Sequence, residues 1–164
     1  MFNSLFILMR RVVFSLLGLF FIPAPALAVP QNHQSHAACR NASDQVIASL
    51  EDGRDLRVDT LTSGPAYRNH PEERTYSYGF NMRGSANMSV IQSPVFMASV
   101  ASAFLDDCSN AGTVTFGVAG SGIIATLGEV NGSVQLFQCA EDIGRYPRRD
   151  DNRPLPWGYQ FCSL

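Results

Sequence analysis

Between Ser93 and Cys139 the spacing of apolar residues changes from a helical period to a strand period, and this change narrows the possible folds most. Ser93-Pro94 opens the helical part. A serine hydroxyl at the N-cap can accept a free backbone N–H, and proline at the first helical position loses nothing by lacking one. Val100, Phe104 and Cys108 then recur every fourth residue, with Met97, Ala101 and Leu105 beside them, so one side of the helix is an apolar stripe. Asn110 and Gly112 tolerate the left-handed backbone that ends a helix. From Thr113 the period is two. Val114, Phe116 and Val118 alternate with Thr113, Thr115 and Gly117; after the turn Gly120-Ser121-Gly122, Ile123, Ala125 and Leu127 alternate with Ile124, Thr126 and Gly128. Asn131-Gly132 is a strong hairpin signal, because a type I′ turn needs φ > 0 at both positions. A third strand follows from Ser133 to Cys139. Three strands joined by tight turns predict an antiparallel meander, with the preceding helix lying on one face.

Two catalytic readings of this stretch fail on context. Gly117, Gly120 and Gly122 lie in a strand–turn–strand, with no helix N-terminus to receive a phosphate and no following lysine. Gly120-Ser121-Gly122 is not a nucleophile elbow either, since residues 119 and 123 are Ala119 and Ile123. Asp106-Asp107, at the helix end, reads as a solvated terminus, because no partner for acid–base chemistry lies near them in sequence.

The chain opens MFNSLFILMRRVVFSLLGLFFIPAPALA, two arginines before an apolar run that ends in the small-x-small triplet Ala26-Leu27-Ala28. This is the pattern of a secretory signal peptide, residues 1–28, cleaved after Ala28; Met9 makes a cleaner start than Met1. Pro23 and Pro25 shorten the run below the ~20 residues a membrane span needs. No span is expected after cleavage. All four cysteines, Cys39, Cys108, Cys139 and Cys162, lie beyond the signal. An even count in an exported chain predicts two disulfides with three possible connectivities, and the positions favour Cys39–Cys108 with Cys139–Cys162. The formal charge is −2, every basic residue is arginine, and losing Arg10 and Arg11 leaves the rest more acidic, which argues against nucleic acid as a partner.

Residues 29–42 read as a flexible polar arm. His33, His36 and Cys39 are spaced three apart and are weak candidates for a metal site, which a mobile arm holds poorly and a disulfide would remove. Asn41 to Asp52 reads as a short helix with Val46, Ile47 and Leu50 buried, and Leu56, Val58 and Thr60 alternate as a strand. His70 falls in a polar, proline-punctuated loop. A hydrolase would need it as base, yet no nucleophile or third group accompanies it, so no catalytic residue is assigned. Tyr76, Tyr78, Phe80 and Met82 share one face of a strand; this is a sheet core or, as an alternative, an exposed strip for sugar or peptide. Asn41, Asn87 and Asn131 begin Asn-x-Ser triplets, which are acceptors only in a glycosylating host. Near the C-terminus Arg145, Tyr146, Arg148 and Arg149 form a basic loop interleaved with carboxylates, a weak binding candidate that could occupy a trypsin-like protease. Trp157, Tyr159 and Phe161 alternate as a final strand.

The combination of VTFGVAGSG, GEVNGSVQLFQC and the terminal PWGYQFCSL resembles small exported cyanobacterial proteins of unknown function, over residues from about 75 to the end. The resemblance implies an exported single-domain protein and lends no activity. The expectation is a single α+β domain over 43–164: an antiparallel β-meander sheet of roughly four to six strands, one main helix on one face, stapled by disulfides. Its expected role is that of an exported, non-enzymatic module without cofactor, binding a protein or an envelope component. A small hydrolase using His70 and a protease inhibitor acting through 145–149 are the alternatives.

Overall fold

The structure, a computed structural model, describes residues 31–64, 67–140 and 154–162, with the side chains of 31–36 excepted. In order these form α1 (Gln31–Glu51), β1 (Arg57–Ser63), β2 (Tyr67–Arg68), β3 (Tyr76–Arg83), α2 (Asn87–Ile91), α3 (Pro94–Asp107), β4 (Ala111–Val118), β5 (Ile124–Val130), β6 (Ser133–Leu136), β7 (Gln138–Cys139), β8 (Leu155–Pro156) and β9 (Tyr159–Gln160). The main sheet has five strands in the order β1-β3-β4-β5-β6. The α+β class holds, and β4, β5 and β6 form the expected antiparallel meander. Asn131 and Gly132 take φ of 53° and 79° in its second turn, the two positive values a type I′ hairpin requires.

The sheet is mixed, not purely antiparallel, because β3 and β4 run parallel. Parallel neighbours need a crossover of a dozen or more residues, and α2 and α3 supply it between these two strands. β1 pairs antiparallel with β3 at the far edge.

α3 begins with Pro94 at its first turn, as the sequence suggests, but the Ser93 hydroxyl makes no capping bond; the Ser93 carbonyl instead accepts from Met97 N–H. α3 and α1 cover one face of the sheet. Tyr78, Phe80 and Met82 from β3, Val114 and Phe116 from β4, and Leu127 from β5 are buried there against Val100, Phe104 and Leu105. The Phe104 ring meets Tyr78 at 4.9 Å and Phe80 at 5.6 Å between centroids. Each such aromatic pair adds about 0.5–1.5 kcal/mol beyond the area it buries.

α1 starts at Gln31, ten residues before the helix expected from Asn41 and through the segment read as an arm. Cys39, 2 % exposed, is bonded to Cys108 at the end of α3, and Ala42, Val46 and Leu50 continue the buried stripe. That covalent tie holds a weakly amphipathic segment against the core, so tertiary contact overrides its poor local pattern.

The C-terminal strand Trp157–Phe161 is likewise corrected. Trp157-Gly158 is a turn, and the flanking β8 and β9 form two short parallel pairs with β2 and β7 outside the main sheet. β6 ends at Leu136 rather than reaching Cys139, because the ladder is broken at Phe137. Phe137 N–H still reaches Thr126 O at 2.8 Å, but the return bond is intercepted: Thr126 N–H donates to Gln160 Oε1 at 2.8 Å, and Gln160 Nε2 donates to Phe137 O at 2.9 Å. The buried carboxamide of Gln160 stands in for a rung of the sheet. Cys139–Cys162 then ties β7 to the chain end beyond β9.

Candidate functional site

The face of the sheet away from the helices is lined by hydroxyls and glycines. Thr113 Oγ1 donates to Ser77 Oγ at 2.9 Å, and the hydroxyls of Thr115 and Thr126 are 3.0 Å apart. One end of this face is capped by Tyr67, Phe137 and Trp157, whose rings pack edge to face with centroids 5.2–5.8 Å apart. The sheet makes room for the cap with glycine: a Cβ on Gly128 would lie 2.7 Å from the Phe137 ring. Burial pushes the Tyr67 phenol pKa up, opposed by its hydrogen bond to Thr126. Two layers therefore sandwich the sheet, a large apolar one and a small aromatic one.

Where cap and sheet meet lies a shallow groove, about 150 Å³ counting open solvent, lined by Tyr67, His70, Arg74, Thr75, Tyr76, Ser77, Gly112, Thr113 and Trp157. Its floor is a β-bulge: the register steps from Tyr76↔Ala111 to Ser77↔Thr113, leaving Gly112 extra on β4. Only glycine fits, since a Cβ there would lie 2.5 Å from Arg74 O and 3.3 Å from the Trp157 ring. Arg74 donates to the Leu105 and Ala111 carbonyls, both at 3.3 Å, and faces Glu129 at 3.6 Å. Its cation thus sits at the C-terminal end of α3, where the helix dipole favours positive charge. Trp157 Nε1 donates to Glu129 O at 2.8 Å, closing the cap onto β5.

His70 does lie in this groove, half-buried, with Nδ1 2.9 Å from Pro71 O. Chemically the lining offers one imidazole, one guanidinium, hydroxyls and aromatic faces; among the described lining residues there is no carboxylate. Ser77 is engaged with Thr113 and Arg74 with backbone carbonyls, so the polar groups hold the fold together rather than point at a ligand. The groove is open rather than enclosed, and its enclosed space falls far short of the about 300–1,000 Å³ of usual small-molecule pockets.

The remaining sequence candidates are dispersed. All four cysteines are in the two disulfides, so Cys39 has no thiolate to offer a metal. His33 and His36 fall in α1, their side chains outside the described residues. Among the described residues no group of three metal-ligating side chains converges, and no helix is long and apolar enough to cross a membrane. Asp106 and Asp107 are exposed at the end of α3, and Asn131 is exposed in its hairpin. Tyr78 and Phe80 are core residues, so the aromatic strip is not a surface; only Tyr76, 38 % exposed, reaches solvent, at the groove. Arg145, Tyr146, Arg148 and Arg149 lie outside the described residues, within the segment that Cys139–Cys162 closes.

Sequence reading did not find Gln160, Arg74 or the aromatic cap. Each depends on chain segments that meet only in three dimensions, and nothing periodic marks them. Large apolar side chains are left in solvent at the corner of α2 and α3, where Val95 is 83 % exposed beside exposed Pro94, and Met88 is 37 % exposed. Phe96 in the same corner is held by the Arg54 guanidinium 4.9 Å above its ring. No protein-family model, curated protein or solved structure matches this chain in any of the three comparisons.

Proposed function

We propose that this protein is an exported, disulfide-stapled binding domain without catalytic activity, acting on a protein or an envelope component outside the cytoplasm. Two disulfides persist in oxidising compartments such as the periplasm or the extracellular space, which supports export. The observation that carries the reading is the use made of the groove's polar groups: Arg74, Ser77 and Thr113 are engaged within the fold, and the recess is too small to enclose a substrate. Contact with a partner then falls to the surface, and the α2–α3 corner with Val95 and Met88 is one apolar part of it.

The test combines photo-crosslinking and turnover. A photoreactive residue at position 95 in the exporting host should give a discrete adduct, and one at exposed Asp106 should not. The purified oxidised protein should hydrolyse no ester or peptide substrate in a manner that His70→Ala abolishes. Turnover lost in His70→Ala overturns the proposal in favour of a hydrolase.

A second reading, protease inhibition through 145–149, is supported by one observation: Cys139–Cys162 closes the segment that carries Arg145 and Arg148 into a loop. Near-stoichiometric inhibition of trypsin by the oxidised protein, lost on reduction, would establish it.

A further inference from the structure

The free edge of β1 carries an inference independent of that reading. In antiparallel pairing, successive residues point their N–H and C=O alternately toward the neighbour strand and away from it. Val58 N–H does not face β3; it donates to Glu51 Oε1 at 3.0 Å. Arg57, Asp59, Leu61 and Ser63 are therefore the residues bonded to β3. The far side of β3 agrees: Tyr76 N–H and Met82 O face β4, leaving Ser77, Gly79 and Asn81 to face β1. Thr60 and Thr62 thus present their N–H and C=O outward, and among the described residues no hydrogen bond to either is formed on that edge.

We infer that this edge pairs with the same edge of a second copy, antiparallel about a two-fold axis through Leu61. The register follows from what is free. With Leu61 opposite Leu61, Thr60 of each copy faces Thr62 of the other, and the outward donors and acceptors of both satisfy one another while Val58 N–H keeps its bond to Glu51. Centring the axis on Thr60 would instead require that occupied Val58 donor.

Two further observations favour a second copy. Leu61 is 64 % exposed because its cross-strand neighbour within the sheet is Gly79, which offers no side chain to cover it. In this register two Leu61 side chains meet in a non-hydrogen-bonded pair, where side chains approach most closely. The charges are also compatible. Arg57 faces Glu51 at 3.8 Å and Asp59 faces Arg83 at 2.9 Å, so each is neutralised within its own copy, and Thr60–Ser63 carries no charge. Asp59 falls opposite Ser63 of the other copy, and the two Asp59 residues stay about 13 Å apart along the strand, beyond the screening length. β1 carries no lysine, proline or bulge, and its two charged residues, Arg57 and Asp59, lie in the half of the strand outside Thr60–Ser63. β6, at the other edge, is shorter and is drawn away at Phe137. The contact is small, below the ~1,200 Å² of standard interfaces, so the dimer is a weak one.

Sedimentation of the oxidised protein between roughly 10 µM and 1 mM should show mass rising toward two copies, and Thr62→Pro, which removes an outward N–H that the fold does not use, should abolish the rise. Leu61→Cys should oxidise to a covalent dimer at least about ten-fold faster than Ser63→Cys, because only position 61 lies opposite itself. A single-copy mass throughout, association that survives Thr62→Pro, or equal cross-linking at 61 and 63 would each overturn the inference. So would a heterologous strand captured on β1 in place of the second copy.

Discussion

Gln160 does the work of a strand. Its carboxamide accepts from Thr126 and donates to Phe137, completing the rung that the departing β6 leaves open. Replacing it with an apolar side chain of similar length removes both bonds and strands a buried N–H and C=O, at a cost of about 1–3 kcal/mol for each group left unpaired. Gln160→Met should therefore lower stability by about 2 kcal/mol or more, read as a reduced urea midpoint at unchanged slope. A drop below about 0.5 kcal/mol would mean that water reaches the gap and satisfies both groups. Gly128 and Gly112 belong to the same scale: each gives the aromatic cap or the Arg74 carbonyl the space a Cβ would fill.

Among the elements, α1 depends most on a single tie. It packs on α3 and β1 through Ala42, Val46 and Leu50, and its N-terminal half is anchored by Cys39–Cys108, which closes a loop of sequence separation 69. Removing a cross-link across so long a loop releases the entropy it withholds from the unfolded chain, typically about 2–5 kcal/mol. The double variant Cys39→Ala/Cys108→Ala should lose that much. Amide exchange should accelerate first around residues 37–42, while β3 and β4, the parallel centre of the sheet, stay protected up to the global limit. Uniform acceleration across the sheet would show instead that α1 and the core unfold as one unit. α3, by contrast, packs directly on the aromatic core and needs no such tie to stay in place.

At the scale of the molecule, a tyrosine packs on each face of the sheet, Tyr78 buried and Tyr67 half-buried. Tyr67 in the cap and Tyr78 under α3 have pKa values raised chiefly by burial, from an ordinary value of 10.0. The folded state therefore holds these protons more tightly than the unfolded chain does. Their contribution to stability is fully present below pH 10.0 and is lost as the pH rises through the higher folded values. Thermal unfolding should be independent of these groups near neutrality and should fall to lower temperature from about pH 10 upward. Tyr67→Phe should reduce the slope of that fall. An unchanged slope in Tyr67→Phe would place the alkaline sensitivity elsewhere.

What the sequence determined by itself was local: α3 from its four-residue stripe and proline start, the meander from its period of two, and the hairpin from Asn131-Gly132. These rest on backbone preferences and on which face must be dry, both of which act within a few residues. The cysteine positions also favoured the pairing that the structure contains, since the terminal cysteines have core cysteines to meet. Only the tertiary structure decided the parallel pairing of β3 with β4, the N-terminal extension of α1, the breakup of the C-terminal strand and the aromatic cap. Each of these turns on a contact between distant segments: a crossover whose landing strand no local pattern specifies, a disulfide that overrides weak helix propensity, and a glutamine that takes the place of a rung. The candidate site is of the same kind. His70 stands out in sequence as a titratable loop residue, but that Arg74 is engaged by the end of α3 and Ser77 by Thr113 depends on how the chain closes on itself.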